Sequence, residues 1–245
     1  MANLRANTLE GGSQGTTIST ANSGGVSGDA YDLISIGSGN TFIYDDVNEA
    51  GALDAKFTSG GTTVGHIGWS GLGALAVDTW FRSHFAISAT PTVGTWFDFL
   101  SFRVAAGTRC FNMKFPANSG LITFSDAADA NIAALASVNG IVPGKVYRIE
   151  WRVLPSATVG TAQWWLYASP NAAISDYIET KSASTLALGA EISQLRIGNG
   201  ATAANIAGLS AWYDNIAIST DGQIGPDDRV IAPDYINFPK RKLRR

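Results

Sequence analysis

Val146-Tyr-Arg-Ile-Glu-Trp-Arg-Val153 decides the fold class. Tyr147, Ile149, Trp151 and Val153 share one parity, and Arg148, Glu150 and Arg152 share the other. A period of two puts successive side chains on opposite faces of a strand. Pro143-Gly144, just ahead of it, supplies a turn. The expectation is a strand with its apolar side chains toward a core and its charged ones toward solvent or a partner.

The same pattern recurs on either side. Residues 80–87 set Phe81, Phe85 and Ile87 against Trp80, Arg82 and His84, which predicts a half-buried strand. Residues 96–104 are apolar on both parities apart from Asp98, Ser101 and Arg103, as in a central strand of a two-layer structure. Phe111, Met113 and Phe115 alternate with Cys110, Asn112 and Lys114, and residues 163–167, 192–197 and 212–219 continue the series. Residues 8–28 read as a Gly/Thr/Ser-rich opening strand and loop. Residues 32–36 and 41–44 flank Gly37-Ser-Gly-Asn40 and predict a hairpin. Only residues 126–138, Ala-rich behind Ser125 or Asp126 as a cap, offer a helix, and propensity serves helix and hairpin equally there. Antiparallel strands without intervening helices make a sandwich.

Composition agrees. The 245 residues include 27 Gly, which suits tight turns, and charged residues are only 15%, so the surface is finished largely with small polar groups. That surface suits packing against neighbours. Cys110 is the single cysteine, so no intrachain disulfide staples the fold. No run of about 18 apolar residues is present to insert in a membrane, and residues 1–10 lack the basic start and apolar stretch of a signal peptide. Net charge is -3, yet Lys240, Arg241, Lys242, Arg244 and Arg245 are all basic, leaving 12 basic against 20 acidic residues before them.

Three stretches together resemble the concanavalin A-like lectin/glucanase (laminin-G-like) jelly roll, in the form found in bacteriophage virion proteins. Thr8-Leu-Glu-Gly-Gly-Ser-Gln-Gly-Thr-Thr17, with Asn22-Ser-Gly-Gly25 and Gly28-Asp-Ala-Tyr31, resembles the opening of tail-associated proteins. Residues 143–151 resemble the family's central strand. Leu195-Arg-Ile-Gly198 and Trp212-Tyr-Asp-Asn-Ile-Ala-Ile-Ser219 resemble its final pair. The resemblance implies an all-β, antiparallel two-sheet jelly-roll sandwich over residues 1–223, with residues 126–138 a hairpin. It further implies a non-enzymatic virion structural protein, a minor tail or tail-tip component, with capsid decoration as a variant. Made in the host cytoplasm, such a protein would meet other virion subunits, form a homo-oligomer and contact host cell-surface glycan. A carbohydrate-binding module without a structural role is the alternative from a different class.

Residues 224–245 read as a Pro-containing basic arm. Gly225-Pro226, Pro233 and Pro239 interrupt regular structure, while Tyr235 and Phe238 need a surface to cover. With the five terminal cations they suit docking to an acidic subunit. The acidic body argues against specific nucleic-acid binding.

Catalysis finds little purchase. Glycosidases need two carboxylates about 5 to 10 Å apart on one face, and no Glu has a second acid at the E-x-D-x-E spacing; the corresponding strand, residues 96–102, keeps only Asp98. Gly11-Gly-Ser-Gln-Gly15 matches a nucleophile elbow in letters but lacks the strand before and helix after it. His66 and His84 have no further His or Cys at ligand spacing, so no transition metal is expected. Asp214, on the parity of Ile216 and Ile218, reads first as a carboxylate accepting backbone N–H bonds. A structural calcium held by Asp214 and Glu10 is the alternative, and no other cofactor is expected. A sugar platform would use Trp165 and Tyr167 with Gln163, or Trp80 beside Arg82 and His84, because flat rings pack on sugars while polar neighbours orient hydroxyls.

Overall fold

The alternating segments form strands in two antiparallel sheets. The computed structural model describes residues 4–46, 53–61, 63–91, 96–200 and 207–226. Among these lie β1 (Arg5–Asn7), β2 (Leu33–Ile36), β3 (Thr41–Asp45), β4 (Asp54–Thr58), β5 (Gly65–Trp69), β6 (Thr79–Ile87), β7 (Trp96–Arg103), β8 (Arg109–Pro116), β9 (Thr123–Ser125), β10 (Tyr147–Leu154), β11 (Gly160–Tyr167), β12 (Glu179–Leu186), β13 (Gln194–Asn199) and β14 (Ser210–Ser219). One sheet has eight strands in the order β12-β11-β10-β6-β14-β4-β3, with β1 added to β14. The other has six, β2-β5-β13-β7-β8-β9. This is a two-sheet β-sandwich of jelly-roll type.

The core is aromatic because the inward parity of both sheets is aromatic. Trp151 on β10 meets Phe81 of its own sheet at 4.6 Å between ring centroids, and Phe102 and Phe111 of the facing sheet at 5.5 and 5.4 Å. Phe99 of β7 likewise meets Phe85 at 5.1 Å and Tyr213 at 4.6 Å across the layer. Burying each such ring contributes about 1.5–3 kcal/mol, and edge-to-face contacts add to that.

Several expectations are corrected. Residues 32–44 do not form a hairpin: β2 pairs with β5 in the six-stranded sheet and β3 with β4 in the eight-stranded one. The Gly37–Asn40 turn carries the chain between layers. Asn40 fixes the crossing, donating Nδ2 to the Val64 carbonyl at 2.9 Å and accepting at Oδ1 from the Gly60 N–H at 2.8 Å. Gly39, at φ 81°, takes the left-handed conformation this requires.

Residues 126–138 are not a helix, and they are hairpin-like only at their start, where a tight turn brings Asn131 into an antiparallel bridge with Ser125. Asp126 Oδ1 accepts from the N–H groups of Ala128 and Ala130, closing a turn, and a single 3-10 turn, Ala133–Leu135, follows. Ile132 and Leu135 then enter the core, and Trp164 Nε1 donates to the Leu135 carbonyl at 2.9 Å.

The strand expected to be half-buried, β6, is covered on both faces except at Trp80. On β10, Arg148 and Glu150 do point away from the core, yet both are fully buried; only Arg152 of the three reaches water. The chain itself roofs that face, as described below. The arm residues Tyr235, Phe238, Lys240, Arg241, Lys242, Arg244 and Arg245 lie outside the described residues. Residues 224–226, counted with the arm on sequence, are described, and Gly225 is seated on the eight-stranded sheet.

Candidate functional site

Strand register lays the outward side chains of β6, β10, β11 and β12 in rows across the eight-stranded sheet. One row runs Trp80, Arg152, Gln163, Ser182; the next runs Arg82, Glu150, Trp165, Thr180; a third runs His84, Arg148, Tyr167. Both halves of the platform read from the sequence therefore share one face. Their fates differ.

The third row and part of the second are closed over. Arg148 ion-pairs with Glu150 at 2.9 Å, Nε to Oε1, in an orientation that is not an aligned hydrogen bond. Its Nη1 donates to the carbonyls of Pro170 and Ala172 at 2.5 and 2.7 Å, which holds the 168–178 segment down, and its guanidinium lies 3.7 Å from the Tyr167 ring centroid. From the other side, Gly225 donates its N–H to Glu150 Oε2 at 3.3 Å and accepts from Arg82 Nη1 at 3.0 Å. Gln223 donates to the Tyr167 hydroxyl at 3.0 Å. Burial raises the Glu150 carboxyl above its ordinary pKa, opposed by Arg148, the Gly225 N–H, Gln223 and Arg82. Tyr167 is raised too, chiefly by burial and then by the Glu150 charge.

Tyr167, Arg82 and His84 are thus buried and present no surface to a ligand. That corrects the sequence reading for these three positions. Asp214 is also placed differently. A bulge between Asp214 and Ala217, with Asn215 at φ 49°, reverses the parity, so Asp214 stands opposite His84 on the outward face while Ile218 stays in the core. Its Oδ1 accepts from the Asn215 N–H at 2.6 Å and its Oδ2 from Asn215 Nδ2 at 2.9 Å. Glu10 accepts from the Leu53 N–H at 3.4 Å. Among the described residues no group of three or more His, Cys, Asp and Glu is placed to hold a metal ion.

The first row and Trp165 of the second stay open. Trp80 and Trp165, on the strands either side of β10, stack across it with centroids 5.5 Å apart and planes 18° from parallel, and both remain half-buried. Arg152 is clamped by Asp78, donating Nε to Oδ1 at 2.9 Å and Nη2 to Oδ2 at 2.5 Å, and its guanidinium lies 5.8 Å from the Trp80 centroid. The hydrogen bonds to Asp78 raise the Arg152 pKa further. Beside them a groove of about 430 Å³ is lined by Arg152, Leu154, Thr161, Gln163, Ser182 and Ser184, together with Ala162 and Ala183. The sequence reading placed Arg152 on the outward parity but left it out of the platform, and it omitted the whole of β12. The register partner of Trp80 is the only signal for the first, and the polar edge strand Glu-Thr-Lys-Ser-Ala-Ser-Thr-Leu gives almost none for the second.

Asp98, the acid kept on the strand where glucanases carry their pair, lies on the outward face of the six-stranded sheet. It accepts from Arg109 at 2.9 Å and from Asn112 at 3.1 Å. Ser13 of the elbow-like stretch is exposed on an irregular loop.

No protein family matches the sequence, and no curated protein matches it. Solved structures do match in shape. The chain is similar to the cellulose induced protein Cip1, with a TM-score of 0.59 and 14% identity over 91% of this chain and 99% of that one. It is similar to the PL-14 alginate lyase of Aplysia kurodai, with a TM-score of 0.54 and 8% identity over 90% and 100%. It is also similar to the botulinum neurotoxin serotype C1 binding domain, with a TM-score of 0.52 and 10% identity; there it covers 89% of this chain and 48% of that one, about half its length. At these identities the likeness shows the fold alone, a two-sheet jelly-roll sandwich.

Proposed function

We propose that the chain is a non-catalytic carbohydrate-binding jelly roll that holds a neutral polysaccharide across the open row of its eight-stranded sheet. The stacked, half-buried Trp80–Trp165 pair beside a groove of mixed polar and apolar lining carries this reading. Indole surface packs on the apolar faces of sugar rings, while Gln163, Thr161, Ser182 and Ser184 supply amide and hydroxyl partners for sugar hydroxyls. The Asp78 clamp neutralises Arg152, so the groove presents donors without net charge and suits uncharged sugars. The two acids on this part of the face are both committed, Asp78 to Arg152 and Glu150 to Arg148, which supports binding over hydrolysis. Affinity electrophoresis through gels cast with neutral and acidic polysaccharides tests it. A neutral polymer should retard the protein, and equal mobility in every gel would overturn the reading.

The virion reading rests on the sequence resemblance, together with the acidic body and its five terminal cations. In it, the sandwich is a minor tail or tail-tip component, or a capsid decoration, whose arm docks a neighbouring subunit. The two readings coexist in a virion protein that also grips host glycan. Mass spectrometry of purified particles tests the second, and absence of the chain from them ends it.

A further inference from the structure

The opposite surface, the outward face of the six-stranded sheet, carries three basic side chains on three adjacent strands. They are His66 on β5, Arg196 on β13 and Arg103 on β7. Register sets His66 against Gly198, Arg196 against Gly68 and Ser101, and Arg103 against Gln194, so the three step diagonally across the sheet. Gly68 and Gly198 bear no side chain between them. His66 is 5% exposed and Arg103 7%, while Arg196 is half-buried and leads out to solvent. Two glycines press close: a Cβ on Gly200 would lie 2.7 Å from Arg103 Nη2, and one on Gly107 would lie 2.9 Å from Arg196 Nη2.

Among the described residues, every hydrogen-bond partner of the two arginines is neutral. Arg103 donates Nε to Ser101 Oγ at 3.1 Å, Nη1 to the Gly107 carbonyl at 2.8 Å and Nη2 to the Gly200 carbonyl at 3.4 Å. Arg196 donates Nε and Nη2 to Gln194 Oε1 at 3.2 and 2.8 Å. Neither guanidinium has an ion pair among the described residues, and both ring nitrogens of His66 are buried there without a hydrogen-bond partner. Two acids stand nearby but pair with other cations: Asp98 Oδ2 and Asp129 Oδ2 each hold Arg109 at 2.9 Å, and Asp129 also holds Lys114, while Asp98 Oδ1 is buried without a hydrogen-bond partner. Burial, Arg196 and Arg109 together lower Arg103 to about 10, against the pull of Asp98 and Asp129. Burial, Arg196 and Arg103 lower His66 to about 3. Buried positive charge without a counter-charge is costly, and an anion relieves that cost.

We propose that His66, Arg103 and Arg196 form a binding site for a single oxyanion, a phosphate or carboxylate group of an acidic ligand, on the sheet opposite the indole pair. Arg196 keeps its Nη1/Nη2 edge as a planar pair of donors matched to such groups, Arg103 adds the hydrogens its three bonds leave over, and the neutral imidazole adds one N–H. The site is independent of the neutral-sugar groove and stands or falls separately from it.

The test follows the His66 ring resonances by NMR in the full chain, titrated with inorganic phosphate and, separately, with glucuronate, against chloride at matched ionic strength. A saturable shift with either anion is expected, and which anion gives it identifies the ligand class. Arg196→Gln should weaken it about tenfold or more with an unchanged melting temperature, since a charge-assisted hydrogen bond is worth about 1.5–3 kcal/mol. Arg196→Lys, which keeps the charge and loses the fork, should fall between and serves if the glutamine variant does not fold. Absence of a shift with both anions, a shift that chloride reproduces, or one that both variants retain in full would overturn the proposal.

Discussion

Arg148 and Glu150, two residues apart on β10, pair at 2.9 Å with neither side chain exposed. An outward-facing pair of this kind is normally a surface ornament worth little. Here the 168–178 and 223–226 segments are tied to it, so the pair is the tether of both. Breaking it leaves a buried charge, whereas replacing both partners removes the desolvation cost as well. Glu150→Ala should therefore cost about 3–5 kcal/mol in urea unfolding, and the double change Arg148→Met with Glu150→Leu should cost less than that. A double variant worse than the single would contradict the assignment.

The tether also sets where the chain can be cut. Removal of residues 227–245 should leave the melting temperature unchanged. Removal of residues 222–245 should lower it, because Glu150, Arg82 and Tyr167 each lose a partner and a buried unsatisfied group costs about 1–3 kcal/mol. Differential scanning calorimetry of the two truncations separates these outcomes. If the arm docks a neighbour, the shorter cut should still abolish self-association or incorporation into particles.

Trp151 and Arg152 are adjacent on β10 and face opposite ways. Trp151→Ala should cost about 3–5 kcal/mol as a core truncation. Arg152→Ala should cost under about 1 kcal/mol, since its pair with Asp78 is more than a third exposed on each side. Equal losses would show that the face assignment is wrong.

His66 gives a pH signature. Its folded pKa, about 3, lies below the ordinary 6.5. A depressed pKa means the neutral form is favoured by folding, so its contribution to stability is full above about 6.5 and is lost as pH falls toward the folded value. Stability should decline through that window, and His66→Gln should flatten the decline. An unchanged pH profile in the variant would contradict the burial of a neutral imidazole.

No reducing sugar should be released from β-glucans or cell wall by the purified chain. Turnover abolished by Asp98→Asn would refute the non-catalytic reading.

The parity of residues 146–153 and 212–219 exposed the sandwich, because period two and aromatic content act locally. What it left hidden depends on partners distant in sequence. The burial of Arg148 and Glu150 follows from segments 18 or more residues away, for instance Pro170 and Ala172 at separations of 22 and 24. The turn at 37–40 looked like a hairpin because its residues suit any tight turn; Asn40, bonded to Val64, decides that it crosses layers. The bulge at Asn215 reversed the facing of Asp214, which strict alternation could not anticipate. In the site, Trp80 and Trp165 were each readable as outward aromatics, but their stacking needed the strand order β11-β10-β6.

That stacking is the centre of the account, and titration calorimetry tests it most directly. The wild-type chain and its Trp80→Ala and Trp165→Ala variants would be titrated with oligosaccharides of the neutral polymer that retards it in gels. Either variant should stay folded, with a modestly lower melting temperature from the lost stack, and lose about tenfold or more in affinity, because an aromatic contact of about 1.5 kcal/mol corresponds to roughly that factor. Wild-type affinity in both variants would place the sugar elsewhere and contradict the account.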